Sequence, residues 1–264
     1  MAASDTRAAG FEVRGLGYAI DGTSILSGLD LAIEPGSVTG LIGHNGSGKS
    51  TLVRLLGRQL TPTSGTVTFD GTPVRHWGER AFARAVAYLP QETGASVGLT
   101  VRELVGLGRY PWHGPLGRFG PTDHAKVSDA IARCGLEAFA GRIVDTLSGG
   151  ERQRAWIAMT LAQDTGCLLL DEPTSALDIA HQIEVLGLIH RLCREKGMTG
   201  VVVLHDVNMA ARFCDRIHAL KGGRLVASGV PEAIMTPDCL GEIYGIDMQV
   251  MAHPTLGTPV ACAG

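Results

Sequence analysis

The chain has 264 residues, with 23 Lys and Arg against 26 Asp and Glu, a formal net charge of −3 and a sequence pI near 6.3. That length suits one large α/β domain able to bury its own core, and the missing basic surplus argues against a nucleic-acid binder. The six cysteines, Cys134, Cys167, Cys193, Cys214, Cys239 and Cys262, form no C-x-x-C pair or His/Cys cluster, so reduced, core-filling thiols are expected rather than zinc ligands or disulfides.

Met1 to Gly10 is small and polar, without the apolar core of a leader, and reads as a disordered start. No later apolar run approaches the ~20 residues that span a bilayer, so a soluble, cytoplasmic chain is expected. Phe11 to Arg14, the alternation Leu29, Leu31, Ile33, and Thr66 to Phe69 read as an antiparallel β layer that includes Tyr18. Val38 to Ile42 is a short apolar strand, and Leu52, Leu55 and Leu56 repeat at helical spacing. Val86 to Leu89 forms another strand, stopping at Pro90-Gln91. A polar stretch from Glu92 to Gly98 follows, then a helix opened by the capping box Thr100 and Glu103.

Gly108 to Pro121 holds four glycines and three prolines among Tyr110, Trp112, His113 and Phe119, which predicts an ordered loop. A helix is expected over Asp123 to Cys134, ending at Gly135. From Leu147 onward the pattern is helix (Glu151 to Ala162), strand (Cys167 to Leu170), helix (Ile179 to Arg194) and strand (Val201 to Leu204). Unbroken apolar strands alternating with helices predict a parallel sheet buried on both faces. Arg216 to Leu220 and Arg224 to Ala227 predict a hairpin, and the tail from Pro231 mixes a short helix with loop and shows no chemistry of its own.

Between the strand ending at Ile42 and the next helix lies Gly43-His44-Asn45-Gly46-Ser47-Gly48-Lys49-Ser50, which fits G-x-x-x-x-G-K-[ST]. Its glycines let successive N–H groups converge on a phosphate, Lys49 reaches the β- and γ-phosphates, and the Ser50 hydroxyl suits Mg²⁺. Cys167 to Leu170 delivers Asp171 and Glu172 at a strand's C-terminal edge. Alternation there predicts Asp171 on the metal side and Glu172 on the other, able to polarise an attacking water. Leu147-Ser148-Gly149-Gly150-Glu151 is a capping box, and its two glycines also leave bare N–H groups for phosphate oxygens.

Taken in order, Gly43 to Ser50, Gln91, Ser148 to Glu151, Leu170 to Pro173, Ser175 to Asp178 and His205 resemble the phosphate loop, Q-loop, signature, Walker B, D-loop and switch histidine of an ATP-binding cassette ATPase. The resemblance covers nearly the whole chain. It implies an α/β fold: a phosphate-loop ATPase core with a mostly parallel sheet, an N-terminal antiparallel β subdomain and an inserted helical subdomain at about 92–150. The cassette would run over 11–230, with 231–264 packed on it as a tail.

It also implies a head-to-tail dimer around two ATP molecules, each gripped by one copy's phosphate loop and the other's Ser148, Gly149 and Gly150. The residues carried over toward ATP and Mg²⁺ are Tyr18 on the adenine, Gly43, Asn45, Gly46, Ser47, Gly48, Lys49, Ser50 and Thr51 on the phosphates, and Ser50, Gln91 and Asp171 on the metal. Glu172 is the implied base, Asp178 the bridge between copies, and His205 the γ-phosphate sensor. For Tyr18 the residues equally allow a strand tyrosine covering the core, and for His205 a structural histidine.

Within that family, Gly108 to Gly114, Leu116 to Gly120, Glu151 to Met159, Ser175 to His181 and His205 to Arg212 resemble ATPases that import ferric hydroxamate (ferrichrome-type) siderophores, in the group that also serves haem and cobalamin. This implies docking on an inner-membrane permease through Glu92 to Phe119, a periplasmic siderophore-binding protein behind it, and a place on the cytoplasmic face of the membrane. Two rivals stay open. A soluble cassette acting in translation or DNA repair usually carries two cassettes or a long coiled coil, for which the 56 residues between Gln91 and Ser148 leave no room. A phosphate-loop kinase would lack the signature.

Overall fold

The computed structural model describes residues 9–92, 94, 98–113, 117–175 and 177–263. Two large sheets, a small two-stranded one and a set of helices build it. The antiparallel layer has the order β2-β1-β4-β5, with β1 (Phe11–Ile20), β2 (Thr23–Ile33), β4 (Ser64–Phe69) and the two-residue β5 (Thr72–Pro73). The second sheet has the order β10-β9-β3-β8-β7-β6. Its members are β3 (Val38–Ile42), β6 (Val86–Leu89), β7 (Cys167–Leu170), β8 (Thr199–Val203), β9 (Arg216–Lys221) and β10 (Arg224–Gly229). From β9 to β6 all pairings are parallel, and β10 closes the edge as an antiparallel hairpin partner.

The unbroken apolar strands are explained by a core on each side. Val38 and Ile42 of β3, with Leu168 and Leu170 of β7 and Val202 of β8, face the helical side. Leu41, Cys167, Leu169, Val201 and Val203 point the opposite way, toward the antiparallel layer and α1 (Lys49–Leu56). Period-two alternation thus feeds two cores from one sheet. Phe11, Phe69, Trp77 and Phe82 fill the second core as a chain of tilted rings with centroids 4.7–6.1 Å apart.

Phe82 belongs to α2 (Glu79–Ala85), a helix whose Glu-Arg-Ala-Phe-Ala-Arg-Ala is rich in strong helix formers. The helical side holds α3 (Val101–Leu107), α4 (Tyr110–His113), α5 (Pro121–Arg133), α6 (Gly149–Ala162), α7 (Ile179–Lys196) and α8 (Val207–Phe213). Both expected capping boxes are present, Thr100 with Glu103 on α3 and Ser148 with Glu151 on α6. Gly135 takes the left-handed φ of +64° just past α5.

Two expectations need correction. The loop predicted from Gly108 contains the helical turn α4, because Trp112 is pinned there. Its ring lies between the guanidinium groups of Arg84 and Arg109, 4.9 and 5.0 Å from its centroid, and its Nε1 donates to the Gln163 carbonyl at 2.7 Å. Arg109 is itself 3% exposed, donating to Asp123 Oδ1 at 2.8 Å and to the Ala162 carbonyl at 2.9 Å.

The tail, too, is more regular than expected. It forms α9 (Pro231–Ile234), α10 (Pro237–Tyr244) and a separate hairpin of β11 (Met248–Ala252) and β12 (Pro259–Ala263). Ile234, Leu240, Ile243 and Ala261 lock it into the core of the helical side.

Of the expected disordered start, residues 1–8 lie outside the described residues, whereas Ala9 is buried and its carbonyl accepts from Thr199 Oγ1 at 2.8 Å. Thr93, residues 95–97 of the polar stretch, residues 114–116 of the aromatic segment, and Ala176 also lie outside them. Among the described residues, no helix is long and apolar enough to cross a membrane.

Candidate active site

The phosphate loop leaves β3 and enters α1, and its backbone explains its glycines. Gly43 has φ +134° and a Cβ there would stand 2.0 Å from the Leu220 carbonyl; Gly48 has φ +99° and its Cβ would meet Leu26 Cδ2 at 2.4 Å. Only glycine fits such a backbone and such neighbours. Gly48 is also the N-cap of α1, which has no side-chain cap and no acidic residue in its first turn. Its first N–H groups are therefore left for an external anion, and the helix dipole favours one.

Lys49 is 4% exposed, with Nζ donating to the Gly43 and His44 carbonyls at 2.8 and 3.0 Å. Burial holds its pKa below the usual lysine value, while the Glu172 and Asp171 carboxylates pull in the opposite direction.

Asp171 and Glu172 take different partners, Ser50 for the first and Gln91 with His205 for the second. β7 ends at Leu170, and Glu172 adopts a left-handed φ of +48°, rare for a residue with a side chain. That turn, rather than strand alternation, aims its carboxylate. Glu172 Oε2 accepts from Gln91 Nε2 at 2.6 Å and stands 2.7 Å from His205 Nε2, which donates in the tautomer protonated there. Three residues from the ends of three parallel strands thus converge on one carboxylate oxygen at the C-terminal edge of the sheet, where open α/β folds bind ligands.

Asp171 sits behind them at 3% exposure. Burial raises its pKa most; a hydrogen bond from Ser50 lowers it. Its Oδ1 is buried with no partner among protein atoms. A buried, orphaned carboxylate oxygen beside the Ser50 hydroxyl is a hard oxygen pair of the kind Mg²⁺ takes.

A cleft of about 400 Å³ is lined by Asn45, Gly46, Ser47, Gly48, Lys49, Ser50 and Thr51 on one side and Gln91, Glu172 and His205 on the other, with Ile25 at its end. Tyr18 does not line it; the ring is half-buried against the core of the antiparallel layer, on the strand paired with Leu26. Ser148, Gly149, Gly150 and Asp178 do not line it either. They form a second group, in which Gly150 packs against His181 and Asp178 caps α7. Within one copy the signature residues are therefore not part of the phosphate-loop cleft.

The chain matches the sequence profile of the ABC transporter family over residues 26–175. It belongs to the ABC transporter family. Across 90% of its length the cassette is 45% identical to the ferric enterobactin transport ATP-binding protein FepC of Escherichia coli (strain K12), covering 88% of that protein. It is 41% identical to the iron(3+)-hydroxamate import ATP-binding protein FhuC of Bacillus subtilis (strain 168), over 94% of this chain and 92% of the relative. Among solved structures it resembles a dimeric ATP-binding cassette in a post-hydrolysis state with ADP and phosphate bound, at 28% identity and a TM-score of 0.72, covering 84% of this chain and 98% of that one. The cassette is an ATPase, turning ATP and water into ADP and phosphate, and domains of its kind work as dimers.

Two contacts made by the tail had no sequence signal. His44, inside the phosphate loop, places Nε2 2.8 Å from the Tyr244 carbonyl and its ring edge-on to the Tyr244 ring at 5.4 Å. The tail, expected to hold no chemistry, thus reaches the nucleotide loop. A second cleft of about 510 Å³ joins Gly43, His44, Asn45 and His205 to Tyr244, whose hydroxyl burial pushes up to about 12. On the helix after His205, Asn208 is tied to the tail backbone at Ala261 by two hydrogen bonds of 2.7 and 3.0 Å.

Proposed function

We propose that this cassette powers import of an Fe(III)-hydroxamate siderophore, as two copies docked on an inner-membrane permease at its cytoplasmic face, with a periplasmic binding protein delivering the cargo. The observation that carries the reading is 41–45% identity over nine-tenths of the chain to siderophore import ATPases. The coarser part, an ATPase for iron-chelate import, rests on both relatives. The hydroxamate assignment rests on the sequence resemblance of the segment from Gly108 to Gly120, in which Tyr110 is 54% exposed and Phe119 also reaches solvent, with Leu107 exposed just before it. Those side chains suit an apolar docking face for a permease, whereas Trp112 and Arg109 are consumed in holding it together.

In the mechanism we infer, the phosphate loop and Lys49 hold the β- and γ-phosphates, Thr51, Asn45 and Ile25 line the cradle, and Tyr18 would meet the adenine only by turning its ring away from the core of the antiparallel layer. Asp171, Ser50 and Gln91 are the residues that would hold Mg²⁺, which would neutralise developing phosphate charge. Glu172, steadied by Gln91 and His205, takes a proton from the attacking water as the new P–O bond forms at the γ-phosphorus and the bond to the β-bridging oxygen breaks. His205 then reports the γ-phosphate. Ser148, Gly149 and Gly150 of a second copy close the site from the far side, and Asp178 bridges the two copies. Growth of a strain lacking this chain on single iron sources tests the cargo: loss on ferrichrome-type iron is expected, and undiminished growth there would overturn the hydroxamate reading. Recovery of a permease with the cassette from detergent-solubilised membranes tests the docking.

A further inference from the structure

The signature's second glycine has a neighbour that its phosphate role does not explain. A backbone N–H can be offered by almost any residue, so binding a phosphate oxygen does not by itself demand a missing side chain at position 150. A Cβ at Gly150 would stand 2.4 Å from Cδ2 of His181, 3.1 Å from its Cγ and 3.2 Å from its Nε2. The ring is not free to retreat. Its Nδ1 is 2.8 Å from Asp178 Oδ1, and the same oxygen accepts the His181 backbone N–H at 2.9 Å as the cap of the 18-residue helix α7.

In that pairing Nδ1 carries the proton toward the Asp178 carboxylate, the Cδ2–Nε2 edge faces the Gly150 backbone, and the side chain is 41% exposed. Leu177 adds a second contact, 3.6 Å from where a Cβ on Gly149 would stand. The turn carrying Asp178 is thus seated on the signature helix through the His181 imidazole and the Leu177 side chain.

We propose that His181 is a positioning residue for ATP hydrolysis, keying Asp178 to the signature glycines so that both meet a partner copy's nucleotide as one rigid edge. The proposal rests on the reading that the signature of one copy closes the ATP site of another. It assigns His181 no contact with phosphate. Its effect falls on closure between copies, leaving nucleotide binding to the phosphate loop of a single copy as it was.

The test uses the full chain in a Glu172→Gln background, so that bound ATP persists, and compares His181→Ala, Gly150→Ala and the double variant after thermal melts confirm folding. ADP affinity of the single copy is expected to stay unchanged in His181→Ala, while the ATP concentration needed for dimerisation rises about tenfold, the middle of the range for residues in direct contact. Gly150→Ala should lose more, and removing the ring in the double variant should restore part of that loss. If the Glu172→Gln parent does not dimerise with ATP, the two-copy reading fails. Should the parent dimerise while His181→Ala matches it and the double variant stays as impaired as Gly150→Ala, the positioning role of His181 is overturned.

Discussion

Replacing Glu172 by Gln isolates the chemistry of the site from its architecture. The amide keeps the carboxylate's shape, and its carbonyl oxygen can occupy the position of Oε2, still accepting from Gln91 and His205. What is lost is charge assistance, roughly 1 kcal/mol per hydrogen bond, the difference between bonds to charged and to neutral groups. What is gained is relief of repulsion with Asp171, whose buried carboxyl is disfavoured in part by the Glu172 charge. The two effects oppose, so the melting temperature should move by no more than ~2–4 °C, the shift that 1 kcal/mol gives in a chain of this size.

Turnover behaves differently, because an amide cannot accept the proton of the attacking water. Loss of a general base costs about 10²–10⁴-fold in kcat. Phosphate release at saturating Mg-ATP, with nucleotide affinity measured in parallel, reads both quantities. A variant folded like the parent and within about threefold of its kcat would refute the assignment of Glu172 as the base.

Further outcomes follow from other contacts. Burial raises the Asp171 pKa, so its folded-state contribution favours the protonated form and is lost as pH rises through that raised value; once ionised, it destabilises the empty site. Asp171→Asn should therefore melt higher than the parent without nucleotide and lose the added stabilisation that Mg-ATP gives over ATP with chelator, as thermal melts at several pH values would read. Removing the ring in His44→Ala leaves the Tyr244 carbonyl at the end of α10 without its His44 partner and frees the phosphate loop from the tail; KM for ATP should rise severalfold with kcat less affected, and an unchanged KM would show the contact to be incidental. In Trp112→Ala two cation–π contacts and one hydrogen bond vanish, for a loss near the low end of the ~3–5 kcal/mol typical of buried tryptophan, read by denaturant melts.

Local signals made most of the site readable. The loop from Gly43 to Ser50, the apolar strand before Asp171 and the box of Ser148 and Glu151 each lie within a few residues, where spacing alone states the geometry. Two readings succeeded for the wrong reason or fell short because long-range packing decides them. Glu172 is aimed by a left-handed turn that nothing in Leu-Asp-Glu-Pro announces, and α4 forms in a Gly- and Pro-rich segment where Arg84 and Arg109, distant in sequence from one another, both pack on Trp112. The tie between His44 and Tyr244 spans 200 residues, and its partners have no shared periodicity through which one chain segment could reveal the other. Likewise, the glycine at 150 reads as a phosphate-facing residue until the ring of His181 is seen where its side chain would be.

The central claim is that Gly43 to Ser50 is half of a nucleotide site, completed by Ser148 to Gly150 of a second copy. Light scattering of the Glu172→Gln variant on a sizing column measures this directly. With saturating Mg-ATP the account predicts a particle of twice the 27.7 kDa of the single chain, reverting to one chain with ADP. A single-chain mass under saturating ATP would contradict it.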